Sequence, residues 1–253
     1  MIDTFLIVII GAAVAGFVQG LSGFGFAVTA ISIWAWVLEP RLTATLGVFG
    51  AFAGQVFSVV TVRRGFDWRR LAPFLIGAVA GLPVGLYLLP RMDVPMFKGV
   101  LGAILIIVCP LMFFAAQLPR ITHGGRFADG VAGALGGMMG GLGGSTGVVP
   151  TLWCTLRGYD KDQQRSIIQD FNLAALGITL GAYIATGIVT RDMLPYFAAV
   201  LPAVILPSLA GRRIYLGISE LGFRQVVLGL LTVSGAAMLV SAAPVLWARM
   251  HAG

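Results

Sequence analysis

Charged residues are scarce in this sequence. Asp, Glu, Lys and Arg together make up 11% of its 253 residues, less than half of the roughly 25% that soluble domains usually carry. Hydrophobic residues account for 58%, and the mean hydropathy is +0.95. A fold surrounded by water cannot bury that much apolar surface. The composition therefore excludes an ordinary soluble protein and predicts an integral membrane protein, with the lipid bilayer as its first partner.

Cysteine and histidine are almost missing as well. The two cysteines, Cys109 and Cys154, lie inside apolar stretches, where a thiol usually packs as a small hydrophobic group. The two histidines, His123 and His251, lie in a loop and near the end of the sequence. The sequence contains no H-E-x-x-H motif, no pair of carboxylates within an apolar stretch and no G-x-x-x-x-G-K-[ST] phosphate loop. We therefore predict no disulfide, metal site, cofactor or catalytic residue, and no enzyme activity.

The charge that is present is mostly positive. The formal net charge is +7 and the sequence pI is about 10.1, values that in a soluble protein would indicate nucleic-acid binding. Here the arginines lie between apolar stretches, where they act as signals for membrane orientation. We therefore predict no nucleic-acid partner.

Long apolar stretches dominate the chain. Eight of them are free of Asp, Glu, Lys and Arg, namely 4–38, 42–62, 71–90, 99–119, 130–156, 171–190, 193–211 and 225–248. Six have the usual length of a membrane helix. The first and the fifth are longer, and glycine-rich breaks at 20–25 and 140–147 interrupt them. A single helix over the first stretch would be about 50 Å long, against a hydrocarbon core of about 30 Å. We therefore predict two half-helices around an unwound turn in each.

The two halves of the chain resemble each other. The Gly-Leu-Ser-Gly segment at 20–23 aligns with Gly-Leu-Gly-Gly at 141–144, and Arg41 aligns with Arg165 at a slightly larger offset. Each half then holds one broken segment followed by three spans. The predicted fold is an all-α integral membrane domain of two four-segment repeats, residues 1–119 and 120–253.

The basic loops predict how the repeats are oriented. The arginines between 63 and 70 place that loop in the cytoplasm. If 130–156 is a re-entrant hairpin that returns to its own side, the basic segment 212–224 is also cytoplasmic and Arg191 lies outside. If 130–156 crosses fully, segment 212–224 is exported. The hairpin fits the positive-inside bias better, and it makes the repeats inverted, an architecture common in secondary transporters.

The two glycine-rich breaks are the predicted functional site. Unwound backbone inside a membrane is tolerated only where it is buried in protein or lines a water-filled cavity. Each half-helix that begins after a break presents free N–H groups and a positive dipole end, which favour an anion. Ser22, Ser145 and Thr146 are predicted to cap these helices or to offer hydroxyls to the ligand. The predicted substrate-binding residues are Gln19, Ser22, Gly23, Phe24, Gly25, Gly143, Gly144, Ser145 and Thr146.

Other polar and small residues have two interpretations each. Gln55, Gln169, Asp170 and Asn172 form a polar or coupling pathway, or they hydrogen-bond neighbouring helices. For Asp170 the alternative is an ion pair with Arg165 at headgroup level. Phe24 is a gate or a packed core aromatic. Four further glycines outside the breaks are predicted to allow close helix packing only: Gly11, Gly16, Gly133 and Gly137.

The chain resembles the sulfite exporter TauE/SafE family of membrane permeases, of the toluene sulfonate uptake permease type. The resemblance rests on the breaks at 16–25 and 137–150, on Arg-Arg-Gly-Phe-Asp-Trp-Arg at 63–69, on the glycines at 77, 81 and 85, and on segments 97–102 and 211–229. The family usually has a glycine triplet followed by proline after the break. Here Gly-Phe-Gly-Phe replaces the triplet, and Thr29 stands near the proline position, whereas Pro150 is retained.

This resemblance implies transport of small sulfur-containing anions across the bacterial inner membrane. The implied substrates are sulfite or organosulfonates such as taurine and sulfoacetate. The alternatives are a passive anion channel and a membrane scaffold that transports nothing. The expected partners are a small anion and the bilayer. The sequence leaves the transport direction, the coupling ion and the oligomeric state open, a homodimer being one arrangement.

Overall fold

The computed structural model describes residues 2–22, 25–61, 67–114, 120–121, 123–214 and 220–251. Within these ranges the fold is helical and contains no strand, as predicted. Its ten α-helices are α1 (Ile2–Ser22), α2 (Phe26–Trp34), α3 (Pro40–Thr61), α4 (Trp68–Leu88), α5 (Val94–Phe114), α6 (Gly125–Gly143), α7 (Val148–Leu156), α8 (Lys161–Ala185), α9 (Leu194–Ile214) and α10 (Glu220–His251). Two single-turn 3₁₀ helices, Leu89–Arg91 and Arg191–Met193, precede α5 and α9.

Seven of the described helices are long and apolar enough to cross a membrane: α1, α3, α4, α5, α8, α9 and α10. This confirms a multi-pass membrane protein. Helix α6 has 19 residues, but it is rich in glycine and contains Arg126 and Asp129. Helices α2 and α7 have nine residues each, too few to span about 30 Å of hydrocarbon.

Each glycine-rich break is the tip of a hairpin. In the first hairpin, Trp34 at the end of α2 donates from Nε1 to the carbonyl oxygen of Ile7, near the start of α1, over 3.3 Å. In the second, the backbone N–H of Ile121, just before α6, donates to the carbonyl oxygen of Leu156 at the end of α7, over 2.8 Å. Both ends of each hairpin therefore lie on the same side of the molecule.

The predicted pair of half-helices is wrong in its proportions. Each hairpin combines a long helix of 21 or 19 residues with a short helix of nine. The reason is the place of the turns, which follow the long helices. Gly25, Gly143 and Gly144 have φ angles of 98°, 159° and 83°. At Gly25 and Gly144 this is left-handed backbone that glycine adopts without strain.

Glycines fix the crossing of α4 with α6. A Cβ atom on Gly81 would overlap the carbonyl oxygen of Ala134, and one on Gly77 would overlap that of Gly130. From the other side, a Cβ on Gly133 or Gly137 would overlap α4 backbone. The two backbones are therefore in direct contact, as in small-xxx-small helix pairs. The packing role predicted for Gly133 and Gly137 is confirmed.

Helix α1 packs against α9 in a similar way. A Cβ on Gly16 would lie 2.8 Å from the carbonyl oxygen of Val204, and the Ser208 hydroxyl donates to the carbonyl oxygen of Gly16 over 2.8 Å. Near the start of α1, Gly11 makes room for the indole of Trp34. The predicted packing roles of Gly11 and Gly16 are confirmed, although the neighbour of Gly11 is a side chain.

The helix pairs repeat along the chain. Counting five helices in each half, α4 corresponds to α9 and α1 to α6, so the α4/α6 pair and the α1/α9 pair are equivalent. Helix α3 also packs against α9 as its counterpart α8 packs against α4. The remaining central pairs, α3 with α8 and α5 with α10, join corresponding helices.

Two groups of contacts mark the opposite ends of the helix bundle. At the Arg41 end, Arg41 donates from Nε to the carbonyl oxygen of Ile188 over 3.0 Å, and Lys98 lies over the Trp36 ring at 4.4 Å. At the Arg70 end, the Arg70 guanidinium lies 5.7 Å from the centre of the Tyr159 ring. The first hairpin begins and ends at the Arg41 end, and the second begins and ends at the Arg70 end.

Candidate functional site

The tips of the two hairpins meet at a buried cavity, which we name the polar cavity. Helices α3 and α8 close its sides, and its empty volume is about 320 Å³. Its polar side chains are Gln19, Gln55, Ser145, Thr146 and Asn172. Among the described residues that line it, none is charged.

Two helix N-termini face the polar cavity. Helix α2 follows Gly25 and α7 follows Gly147, and neither N-cap residue makes a side-chain hydrogen bond. The first full helical bonds run from Thr29 N–H to the carbonyl oxygen of Gly25 and from Thr151 N–H to that of Gly147. The earlier N–H groups of each first turn lack such acceptors. Glycine at both caps therefore leaves backbone donors and two positive dipole ends at the cavity.

The capping role predicted for Ser145 and Thr146 is wrong, because Gly147 is the N-cap of α7. The Thr146 hydroxyl instead donates to the side-chain carbonyl oxygen of Asn172 over 2.8 Å. The Ser145 hydroxyl has no hydrogen-bond partner within the described ranges, and Ser145 lines the cavity. The side chain of Ser22 lies outside the described part of the chain.

The amide side chains of the cavity also join helices. Gln55 on α3 donates from Nε2 to the backbone carbonyl of Gln169 on α8 over 3.2 Å. Gln19 on α1 donates from Nε2 to the carbonyl oxygen of Ala51 on α3 over 3.5 Å. These residues thus make the interhelical hydrogen bonds considered for them while they also line the cavity.

The structure gathers most of the predicted site residues at the polar cavity: Gln19, Gly25, Gln55, Gly144, Ser145, Thr146 and Asn172. Gly143 lines a neighbouring cavity instead. Gln169 is buried and contributes its backbone carbonyl to Gln55. Gly23 and Phe24 lie outside the described residues.

Asp170 is half-buried on α8 and does not line the polar cavity. No ion pair joins it to Arg165 in the described structure, and the Arg165 Nε is a buried atom without a hydrogen-bond partner there. The predicted headgroup-level ion pair is therefore wrong.

Sequence reasoning missed the wall that α3 provides. Gly47, Gly50 and Gly54 let the hairpin tips approach, because a Cβ at these positions would collide with Gly143, Phe26 and Gln19, respectively. Their spacing of three and four residues along one stretch was the available signal.

An apolar cavity with an empty volume of about 500 Å³ adjoins the polar one. Val28, Ser145 and Val148 line both. The rest of its lining is mostly aliphatic and sulfur-containing side chains of α5, α6 and α10, such as Leu105 and Met238. Ser145 therefore stands at the border between polar and apolar space.

The whole arrangement lies within one family match. A model of the sulfite exporter TauE/SafE family matches residues 8–238. The chain belongs to this family. No curated protein and no solved structure matches it. TauE/SafE proteins are membrane transporters rather than enzymes, and membership implies an exporter-type carrier of sulfite or related sulfur anions.

The segments that carried the resemblance have clear places in this TauE/SafE protein. The glycines at 77, 81 and 85 lie on α4 at its crossing with α6. Pro150 occupies the third position of α7, where a missing N–H breaks no helical bond. Thr29 is the fourth residue of α2 and Thr151 the fourth of α7, and both hydroxyls are buried without a partner in the described structure.

Proposed function

We propose that this chain is a secondary transporter that moves small sulfur-containing anions, sulfite or organosulfonates, across the bacterial inner membrane. The polar cavity is the proposed substrate site. The observation that carries the proposal is the convergence of two helix N-termini, both capped by glycine, on one buried cavity. Membership of the TauE/SafE family supports the same class of substrate.

The composition of the cavity suits transport as well as binding. Its described lining offers amides and hydroxyls but no arginine or lysine. Backbone N–H groups and dipole ends can bind an oxyanion without a neutralising cation. A carrier must also release its substrate, and neutral donors hold an anion less tightly than a bidentate arginine would.

We also propose that the two halves, residues 1–119 and 120–253, are inverted repeats. The first hairpin enters from the Arg41 end and the second from the Arg70 end, and both tips reach the polar cavity. The equivalent helix pairs support this arrangement. A substrate site where re-entrant segments of two repeats meet is the usual plan of such transporters.

Orientation follows from the distribution of basic residues. The Arg70 end carries most of the described ones, including Arg69, Arg70, Arg120, Arg126 and Arg157, whereas the Arg41 end carries Arg41, Arg91, Lys98, Arg191 and Arg249. By the positive-inside rule the Arg70 end is cytoplasmic.

Two single-cysteine variants test this orientation, because both positions are exposed. With an impermeant thiol reagent on intact cells, Arg191→Cys should be labelled at once and Arg126→Cys only after permeabilisation. The two native cysteines are buried and give the background, measured on the unmodified chain. Labelling of Arg126→Cys from outside would contradict the proposed orientation.

Flux into proteoliposomes tests the function. Purified full-length protein should give saturable uptake of sulfite or ethanesulfonate and counterflow of labelled substrate, with protein-free vesicles as background and an organic cation of similar size as the negative control. Non-saturating conductance without counterflow would indicate a channel. The absence of any flux would favour a scaffold.

A further inference from the structure

Gln19 has an amide group that is only half satisfied. The residue lies on α1 next to the break and is 3% exposed. Its Nε2 donates to the carbonyl oxygen of Ala51, and the amide lies against Gly54, where a Cβ would come within 2.6 Å of Nε2. Its side-chain carbonyl oxygen, Oε1, is buried and has no hydrogen-bond partner in the described structure.

The orientation of this amide follows from its neighbour. The Ala51 carbonyl can only accept a hydrogen bond, so the NH₂ group must face it and Oε1 must point away. An acceptor that stays buried and unpaired is costly. Gln19 lines the polar cavity, so a bound molecule is in a position to supply the missing donor.

The rest of the cavity cannot supply that donor. The side-chain carbonyl oxygen of Asn172 is already occupied by the Thr146 hydroxyl, and the two helix N-termini point their N–H groups at an anion. The cavity thus combines donors for a charged group with one free acceptor from Gln19.

We propose that Gln19 Oε1 accepts a hydrogen bond from the substrate and thereby sets its specificity. The site prefers small anions that carry an N–H or O–H group close to the charged group, such as hydroxy- or amino-substituted sulfonates, over anions of the same size without a donor. This inference rests on the proposed transport function and on the polar cavity as its site.

Three sulfonates of equal chain length provide the test: ethanesulfonate, 2-hydroxyethanesulfonate and 2-aminoethanesulfonate. Calorimetry on the full chain in lipid nanodiscs measures their affinities. The hydroxy compound should bind about tenfold more tightly than ethanesulfonate, since a hydrogen bond within a charged complex is worth about that factor or more. The amino compound shows whether an ammonium donor is accepted as well.

Gln19→Met is the matching variant, because methionine is similar in length but offers no strong acceptor. It should weaken the hydroxy compound about tenfold and change ethanesulfonate by less than about twofold. Ser241→Ala is the control, since Ser241 on α10 hydrogen-bonds Met238 and lines neither cavity. Thermal unfolding of each variant in detergent shows whether it is folded.

The outcomes separate the two proposals. Equal affinity of the unmodified chain for the hydroxy compound and ethanesulfonate overturns the role of Gln19 and leaves the transport function standing. A Gln19→Met variant that weakens all three sulfonates equally also overturns it. If neither sulfite nor any of the sulfonates binds, both proposals fail. If Gln19→Met does not fold, the ligand comparison on the unmodified chain decides.

Discussion

Replacement of Ser145 by aspartate should abolish anion binding while the protein stays folded. Ser145 lies two residues before the N-cap of α7 and lines the polar cavity. The two helix N-termini at this cavity favour the ionised carboxylate. That carboxylate would occupy the place of the substrate charge and repel it.

The size of the effect follows from Coulomb's law. Two like charges about 5 Å apart at an effective dielectric constant of about 20 repel by about 3 kcal/mol, which is more than about a hundredfold in affinity. Calorimetric titration with sulfite or ethanesulfonate measures it. A negative charge near the start of α7 should leave the apparent melting temperature unchanged or slightly raised.

Ser145→Asn is the matched control, because it has nearly the shape of the aspartate variant without the charge. It should retain binding within about tenfold of the unmodified protein, since only one hydroxyl donor is exchanged. If Ser145→Asp and Ser145→Asn bind equally well, the substrate charge does not sit at this cavity and the proposed site is wrong.

Gly81→Ala should destabilise the fold strongly. The added methyl group would overlap the backbone carbonyl oxygen of Ala134 on α6. Overpacking typically costs about 1–3 kcal/mol when side chains can yield. A backbone carbonyl in a helix cannot turn aside, so we expect a loss of about 3 kcal/mol or failure to fold. Size-exclusion chromatography and thermal unfolding in detergent measure the effect.

The same substitution elsewhere gives the control. Gly181 lies on α8, and no heavy atom is within 4 Å of the position that a Cβ would occupy. Gly181→Ala should therefore be neutral or stabilising by up to about 1 kcal/mol, because alanine favours helix over glycine. Comparable losses in the two variants would show that the α4/α6 crossing does not depend on backbone contact at Gly81.

The sequence predicted the features that depend on composition. Apolar length identified the membrane segments, because the bilayer core imposes one thickness on every span. The packing roles of Gly133 and Gly137 followed from spacing along one helix face. The polar residues Gln19, Gln55 and Asn172 stood out as exceptions in apolar stretches, and all three line the polar cavity.

The features that were missed depend on tertiary contacts. Within 143–147 several glycines compete to end α6 and to cap α7, and their order alone does not show that Gly147 is the N-cap. The hydroxyl of Thr146 has a partner on α8, and that helix packs beside it only in the folded chain. The Asp170–Arg165 ion pair was inferred from sequence distance, which does not determine where the side chains point.

The uncharged lining of the polar cavity has a consequence for energetics. A site without charged side chains carries no compensating charge, so a monovalent anion that crosses alone takes its full charge through the membrane potential. This is worth about 2.3 kcal/mol per 100 mV. In a cell whose interior is electrically negative, the potential then drives such an anion outward.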